Sequence, residues 1–352
     1  MNDTPHQSPA TTILLEQWLA GLSFGEPQAH GGLALVPLSP PSNSSARRYR
    51  TLPEAVSSGE VTVSEAPNAT VPTLRVANTG ALPVLIVDGE ELVGGLQNRV
   101  VNTTILIPAK SIVALPVSCI EHGRWNPLPP SGETARPRPT RPSATTRNTT
   151  PPRFETGETA YPRLRRQKMD DVTQSYVRRG QPIADQAAVW HEVADRHRRV
   201  GATSRTGAMR DAYASREADL TLAQERLPYR EDGAVGVAAF VGGTAIAIDI
   251  FDHPTTLGAY WRRLVRSYAL EAVGEAPAEP LLDTARHLLE RARSAHHAIF
   301  PSPGLGQDVR LRGERVVGAA LLWDNAVIHA ALFLHDHAGP HSAGPRAQRL
   351  RR

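Results

Sequence analysis

The sequence predicts an α+β protein: an antiparallel, β-rich N-terminal half, sandwich or barrel-like, followed by helices and further antiparallel hairpins in the C-terminal half. Three observations carry this expectation. Short β-rich runs fall at 32–38, 61–65, 73–77, 82–87, 100–107 and 111–120, separated by Pro and Gly/Asn/Asp turns with no helical stretch between them. Strands spaced this closely pair antiparallel, because a parallel pair needs a long crossover. Residues 256–273 place Leu257, Tyr260, Trp261, Leu264, Val265, Tyr268 and Ala272 on one helical stripe and Arg262, Arg263 and Arg266 away from it. Residues 233–251 read as a hairpin turning at Gly242-Gly243, with alternation at Ile246, Ile248 and Ile250.

The remaining elements follow in chain order. Residues 12–22 make a short helix with Leu14, Leu15, Trp18, Leu19 and Leu22 near one face. Residues 127–166 are rich in Pro, Arg, Thr and Ser and lack a hydrophobic period, which predicts a mobile linker or long surface loop. Helical texture returns at 185–199, 206–227 and 280–298, and a last β region spans 309–333. The polar, basic stretch 335–352 is expected to fray. The predicted organisation is therefore a β-rich part at 12–126, the connector at 127–166, a helical and hairpin part at 167–334, and the tail.

Composition bounds the function class. With 352 residues, 40% hydrophobic and 21% charged, the chain can bury a core and keep a polar surface, which excludes a fibre or a globally disordered chain. The uncharged run 235–248 contains Gly242 and Gly243 and is shorter than the roughly 20 apolar residues a spanning helix needs. Residues 1–10 lack the basic and apolar regions of a secretory signal. A cytoplasmic protein without membrane contact is expected. Cys119 is the only cysteine, so an intrachain disulfide and a zinc ribbon are excluded. Lys110 and Lys168 are the only lysines, which leaves 37 of the 39 basic residues as arginine, many of them among prolines. The net charge of +4 is thus background rather than a nucleic-acid footprint, which needs clustering on one face. A homo-oligomer is compatible with this composition.

The densest polar text is 88–99, where Asp88, Glu90 and Glu91 precede Gly94, Gly95, Gln97, Asn98 and Arg99. Carboxylates can hold a cation or ribose hydroxyls, glycine lets backbone N–H groups approach an anion, and arginine forks onto phosphate. It matches neither a phosphate loop nor a dinucleotide fingerprint, and composition alone favours a turn with solvated acids. The second cluster runs from Pro116 to Trp125. A strand here puts Val113, Leu115, Val117, Cys119 and Glu121 on one face. Cys119 then reads as a small buried hydrophobe rather than a nucleophile paired with His122. Arg124 and Trp125 could hold a phosphate and a purine face, or simply stack on each other in a turn. The third cluster, Asp249, Asp252 and His253, has metal-compatible spacing. Its simpler account is structural, with Asp252, Thr255 or Thr256 capping the next helix. His296, His297, His335 and His337 read as surface histidines. No metal site, cofactor motif or complete catalytic constellation is indicated.

Taken together, these phrases resemble the bacterial ARG (ADP-ribosylglycohydrolase) and rhodanese-phosphatase-superfamily-associated protein domain. The matching text is Gly21-Leu-Ser-Phe24-Gly25-Glu26-Pro27, Asp88-Gly-Glu-Glu-Leu-Val-Gly-Gly95 with Gln97-Asn98-Arg99, and Pro116-Val-Ser-Cys119-Ile-Glu121 with Gly123-Arg124-Trp125. Ala247-Ile-Asp249-Ile-Phe251 and Leu264-Val-Arg266-Ser267-Tyr268-Ala269 add to it. The resemblance implies gene-neighbourhood company with ADP-ribosylglycohydrolases and phosphatases, hence a partner of either kind and a role in sensing or processing an ADP-ribose-like nucleotide; that is association, not mechanism. Two readings of different class follow, and a protein-binding scaffold is a third. One is a nucleotide-derivative binding or sensing domain, with Gln97, Asn98, Arg99, Arg124 and Trp125 as ligand contacts. The other is a hydrolase with Glu90, Glu91 or Glu121 as general base or metal ligands. Both expect the two polar phrases to meet around one concave pocket.

Overall fold

β-Rich text from both sides of the Pro/Arg stretch meets in the same sheets. The computed structural model of the protein describes residues 9–40, 46–124 and 153–335. Its elements begin with α1 (Pro9–Ala20), β1 (Ser23–Phe24), β2 (Gln28–His30), β3 (Leu33–Ser39), β4 (Arg50–Thr51) and α2 (Leu52–Ser57). Then come β5 (Val61–Thr70), β6 (Thr73–Asn78), β7 (Val84–Ile86), β8 (Glu90–Gly94), β9 (Arg99–Val101), β10 (Ile105–Ile107) and β11 (Ser111–Cys119). β12 (Phe154–Thr159) leads into α3 (Pro162–Arg179), α4 (Gln186–Val200), α5 (Met209–Ala214) and α6 (Glu217–Arg226). The hairpin β13 (Gly236–Val241) and β14 (Thr244–Phe251) precedes α7 (Pro254–Glu271) and α8 (Leu282–Ser294). β15 (His296–Pro301), β16 (Gln307–Gly313), β17 (Val316–Trp323) and β18 (Ala326–Leu334) complete the described chain.

A nine-stranded sheet runs β1-β3-β13-β14-β18-β17-β16-β15, with β2 also on β3. A six-stranded sheet runs β12-β8-β9-β11-β6-β5, and a three-stranded one β10-β7-β4. Every pairing is antiparallel except β4 with β7. The α+β class expected from sequence is the observed one.

Period two divides the apolar side chains of the large sheet between its faces. Ala34, Val36, Leu38, Ile248, Ile250 and Leu332 turn toward Leu15 and Leu19 of α1 and Leu288 and Leu289 of α8. Leu33, Leu35, Val237, Phe251 and Phe333 turn toward Leu257, Tyr260, Trp261, Leu264 and Tyr268 of α7. Each fully buried side chain of this size contributes about 1.5–3 kcal/mol, so α7 is a fixed wall. The six- and three-stranded sheets enclose their own core, with Val63, Leu74, Val76, Leu92 and Val117 against Val84, Ile86, Ile105 and Ile107. A helical core gathers Leu164, Val172, Val189, Val193, Met209 and Tyr213 around Tyr161.

Several boundaries differ from the sequence reading, each for a physical reason. The expected connector 127–166 lies outside the described residues as far as residue 152, but its last part is ordered. Phe154, 4% exposed, opens a strand paired with β8, and Pro162 starts α3, whose Leu164 and Arg165 are fully buried. The run 100–107 is two strands in different sheets, because the chain bends at Asn102, Thr103 and Thr104. The helix expected to reach 298 stops at Ser294; Ala298 and Ile299 pair with Arg310 and Val309 in the sheet instead. His297 is therefore not a surface residue: it is buried, and its Nε2 lies 2.9 Å from the Ala292 carbonyl. The N-cap of α7 is His253, whose Nδ1 accepts from Thr255 N–H at 3.2 Å, while Asp252 accepts from the Tyr49 hydroxyl. Of the tail, His335 bonds through its N–H to the Arg315 carbonyl at 2.9 Å; 336–352 lie outside the described residues. Among the described residues no helix is long and apolar enough to cross a membrane.

Candidate functional site

The two polar phrases do meet. β8 and β9 form a tight hairpin through Gly94 and Gly95, both at positive φ (138° and 49°). A Cβ at Gly95 would fall 2.1 Å from the Phe154 ring, so only glycine lets this turn lie flat against β12. The end of β11 brings Glu121 beside the turn. Asn98 N–H donates to Glu121 Oε2 at 3.1 Å, and Gln97 Nε2 to the Glu121 carbonyl at 3.1 Å. Arg124 Nε donates to Glu121 Oε2 at 2.7 Å, its Nη1 to the Gly95 carbonyl at 2.9 Å, and its Nη2 to Asn98 Oδ1 at 2.9 Å. Arg99 Nη1 donates to Gln97 Oε1 at 2.9 Å. Burial raises the Glu121 pKa, but the Arg124 and Asn98 donors outweigh it and leave the group below its ordinary value. Trp125 lies outside the described residues.

This corner faces inward, with Gln97, Asn98, Arg99 and Glu121 all buried. Its second role is to seat α5. Thr206 Oγ1 donates to Glu121 Oε1 at 2.9 Å, Gly123 N–H to the Thr206 carbonyl at 2.6 Å, and Met209 N–H to the Ile120 carbonyl at 2.9 Å. Glu121 also bridges Ala208. Arg210 follows in the first turn of α5. Cys119 closes the row as a fully buried thiol, 3.4 Å from the Glu121 carbonyl, and burial raises its pKa.

Alternation along β8 sends its two glutamates to different neighbours. Glu90 meets α7: its carboxylate accepts from Val87 N–H at 2.7 Å, Tyr260 Oη at 3.1 Å and Arg263 Nη1 at 3.3 Å. Glu91 meets β12, where Oε2 accepts from Glu158 N–H at 3.0 Å and Oε1 has no hydrogen-bond partner among the described residues. Burial pushes both carboxyls up to about 7 against these donors; at Glu91 the Glu158 and Glu121 charges add to the rise, and Arg210 opposes it.

Glu91 lines a cleft of about 690 Å³ between β12, α5, α6 and α7. Arg210, Arg262, Arg263 and Arg266 surround it, against three carboxylates, Glu91, Glu158 and Glu217. Arg266 is spent on Glu158 (Nη2–Oε1 2.8 Å) and Glu217 (Nη2–Oε2 2.7 Å), and Arg263 on Glu90 and on Thr156 Oγ1 at 2.9 Å. Arg210 and Arg262 are solvent-exposed, and their guanidinium groups make no hydrogen bond or ion pair with a described residue. Their Cα atoms sit on α5 and α7, so the two face the same opening from different elements. Among the described residues no group of three or more His, Cys, Asp or Glu is placed to hold a metal ion.

The family model for the ARG and Rhodanese-Phosphatase-superfamily-associated Protein domain matches residues 21–333. The chain belongs to this family. The domain's name links it to proteins associated with ADP-ribosylglycohydrolases and rhodanese-phosphatases. No curated protein and no solved structure matches the chain. The match runs through the corner, the cleft and the large sheet, so the phrases in which the resemblance was read are parts of one structure. Glu91 lines the domain's cleft; Gln97, Asn98, Arg99, Glu121 and Arg124 form the corner behind α5; Glu90 stands on the α7 side.

Sequence reasoning missed two groups. One is the cleft's exposed pair, Arg210 and Arg262, which carry no motif and are joined only by folding. The other is a wholly buried charge cluster, Asp88, Arg165, Lys168 and Asp249, with Tyr268 and His329. A signal existed for it. Arg165 and Lys168 stand three apart among Leu164, Met169 and Val172, which places two cations on an apolar helix face. Asp249, the third polar cluster's first member, is part of this buried cluster through Arg165, Tyr268 and His329.

Proposed function

We propose that the domain binds a phosphorylated nucleotide derivative of the ADP-ribose class in the cleft between β12, α5, α6 and α7. One observation carries this reading: Arg210 and Arg262 flank a cleft of about 690 Å³ with uncommitted guanidinium groups, beside a buried acidic floor. That volume falls within the usual range for small-molecule sites, roughly 300–1,000 Å³. Guanidinium forks suit phosphate geometry. Gln97, Asn98, Arg99, Glu121 and Arg124 serve the site by fixing α5, and Arg210 with it. An ADP-ribosylglycohydrolase or phosphatase is the partner that the domain's name suggests, and a cytoplasmic bacterial setting suits that company.

Calorimetric titration with ADP-ribose tests the reading directly. Wild type should bind, and Arg210→Ala and Arg262→Ala should each weaken binding about tenfold or more, the worth of one charge-assisted hydrogen bond. Equal affinity in all three proteins, or no heat from wild type at millimolar ligand, sinks it.

A hydrolase acting at the same cleft is the second reading, favoured by the Glu91 carboxyl standing at about 7, where a general base works best. Product analysis of ADP-ribose incubated with wild type and Glu91→Gln separates a catalyst from a sensor.

A further inference from the structure

Three carboxylates border the cleft, and only one of them has an oxygen left over. Glu158 and Glu217 both grip Arg266. Glu91 is 1% exposed, with Oε2 fixed by the Glu158 N–H and Oε1 partnered by no described residue. A buried acceptor left unmade costs about 1–3 kcal/mol, so the fold holds a carboxylate oxygen at the cleft floor at an expense that nothing within the described residues repays. Its orientation is set closely. Gly157 passes so near that a Cβ there would stand 2.4 Å from Glu91 Oε2 and 2.6 Å from Val93 Cγ2.

We propose that Glu91 Oε1 accepts a hydrogen bond from a neutral hydroxyl of the bound ligand, so that the cleft takes a phosphorylated sugar in preference to a bare phosphate. The inference rests on the binding reading given above and deepens it. The charges around Glu91 select the donor. Arg210 faces it from α5, and Arg263 and Arg266 line the same cleft from α7, so a cationic ligand group is repelled. Glu158 from β12 and Glu121 beyond β11 stand near it as well, so an anionic group is disfavoured there. Tyr213 completes the wall, and its hydroxyl already donates to the Thr159 carbonyl. What suits the buried, unpartnered oxygen is an uncharged O–H donor, while the phosphate goes to Arg210 and Arg262. A ligand carrying both groups is a sugar phosphate, alone or as part of a nucleotide.

The test compares ribose 5-phosphate with methyl phosphate, two monoesters of equal charge, on wild type, Glu91→Gln and Arg262→Ala. The Glu158 N–H requires an acceptor, so a glutamine at this position turns its carbonyl oxygen there and presents its amide N–H₂ to the cleft. A donor then faces a donor, and the charge is gone. Glu91→Gln should weaken ribose 5-phosphate about tenfold or more and leave methyl phosphate within about twofold. Arg262→Ala should weaken both. Should the glutamine variant misfold by circular dichroism, wild type supplies a second measurement: the ratio of the two affinities should favour ribose 5-phosphate increasingly from pH 6 to 8, as the Glu91 carboxyl ionises. An unchanged ribose 5-phosphate affinity in Glu91→Gln, an equal loss for both probes, or a flat ratio overturns the assignment of Glu91 while leaving the arginine site standing. No binding of either probe, or no effect of Arg262→Ala on either, overturns the cleft reading and this inference with it.

Discussion

Arg165 and Asp249 meet as a two-point ion pair, Nη1 to Oδ2 at 2.8 Å and Nη2 to Oδ1 at 2.7 Å, with both side chains fully buried. Arg165 comes from α3 and Asp249 from β14, and the pair is one link in a longer chain of charge. Lys168 Nζ holds Asp88 Oδ1 at 3.0 Å, and Arg165 Nε reaches Asp88 Oδ2 at 3.4 Å. The Tyr268 hydroxyl donates to Asp249. Burial drives His329 below its ordinary pKa; its Nε2 lies 3.4 Å from Asp249 Oδ1 and its Nδ1 2.8 Å from Thr104 Oγ1. The turn before β8, helix α3 and the large sheet are thereby tied at one point.

Removing one member of such a pair leaves its partner's charge buried and uncompensated, at a cost of about 3–5 kcal/mol. Arg165→Met should lose that much in urea denaturation followed by circular dichroism. Arg165→Lys keeps a charge but only one point of contact and should fall between. A methionine variant within about 1 kcal/mol of wild type would mean that the cluster does not hold these layers together.

How far the sequence discloses this architecture depends on the range of the cause. The α7 stripe and the β13–β14 hairpin are legible because period and turn chemistry are local. Glu121 and Arg124 are legible as a polar terminus for the same reason, three residues apart at the end of a strand. The strand Phe154–Thr159 is not legible: Gly157, Glu155 and Glu158 lend it a loop composition, and only pairing with β8 makes it a strand. Arg210 and Arg262 are also silent in sequence, since their meaning is a shared opening between α5 and α7. The inward face of the 88–99 phrase was beyond composition too. Three carboxylates and an arginine suggest solvent until Arg165, Lys168, Arg263 and Arg124 arrive from elsewhere in the chain.

Glu90 makes stability fall as pH rises. Burial lifts its carboxyl to about 7, so the folded protein keeps a proton that the unfolded chain releases near 4.5. Its contribution is complete below the unfolded value and is lost as pH climbs through the folded one. Glu90→Gln removes the titration. The stability of the variant relative to wild type should therefore improve from pH 5 to pH 8, by on the order of 3 kcal/mol, read from urea curves at each pH. A difference that stays constant over this window shows that Glu90 is ionised throughout.

Arg124 is the keystone of the corner behind α5. Arg124→Ala deprives Glu121, Asn98 and the Gly94 and Gly95 carbonyls of their donor together and should destabilise by about 2–3 kcal/mol. The loss should shrink in acid. The Glu121 pKa is depressed in the fold, so its share of stability is present above the unfolded value and disappears as pH falls through the folded one. Chemical denaturation of wild type, Arg124→Ala, Glu121→Gln and the double variant at neutral and acid pH measures this as a coupling energy. Additive effects at neutral pH rule out the keystone role.

Gly157→Ala probes the placement of Glu91 without altering any charge. The added methyl would fall 2.4 Å from Glu91 Oε2 and 2.6 Å from Val93 Cγ2, inside real contact distances. The flexible end of Glu91 can swing away only by giving up its bond from the Glu158 N–H; Val93, branched at Cβ and packed on β8, can give little. Overpacking of this kind costs about 1–3 kcal/mol, and a displaced Glu91 carries the cleft floor with it. Thermal unfolding should therefore show a loss in that range. Ribose 5-phosphate should bind more weakly, while methyl phosphate, held by Arg210 and Arg262, should be little changed. A variant as stable as wild type with intact ribose 5-phosphate binding would show that β12 yields at Gly157 and that the carboxylate is not held by it.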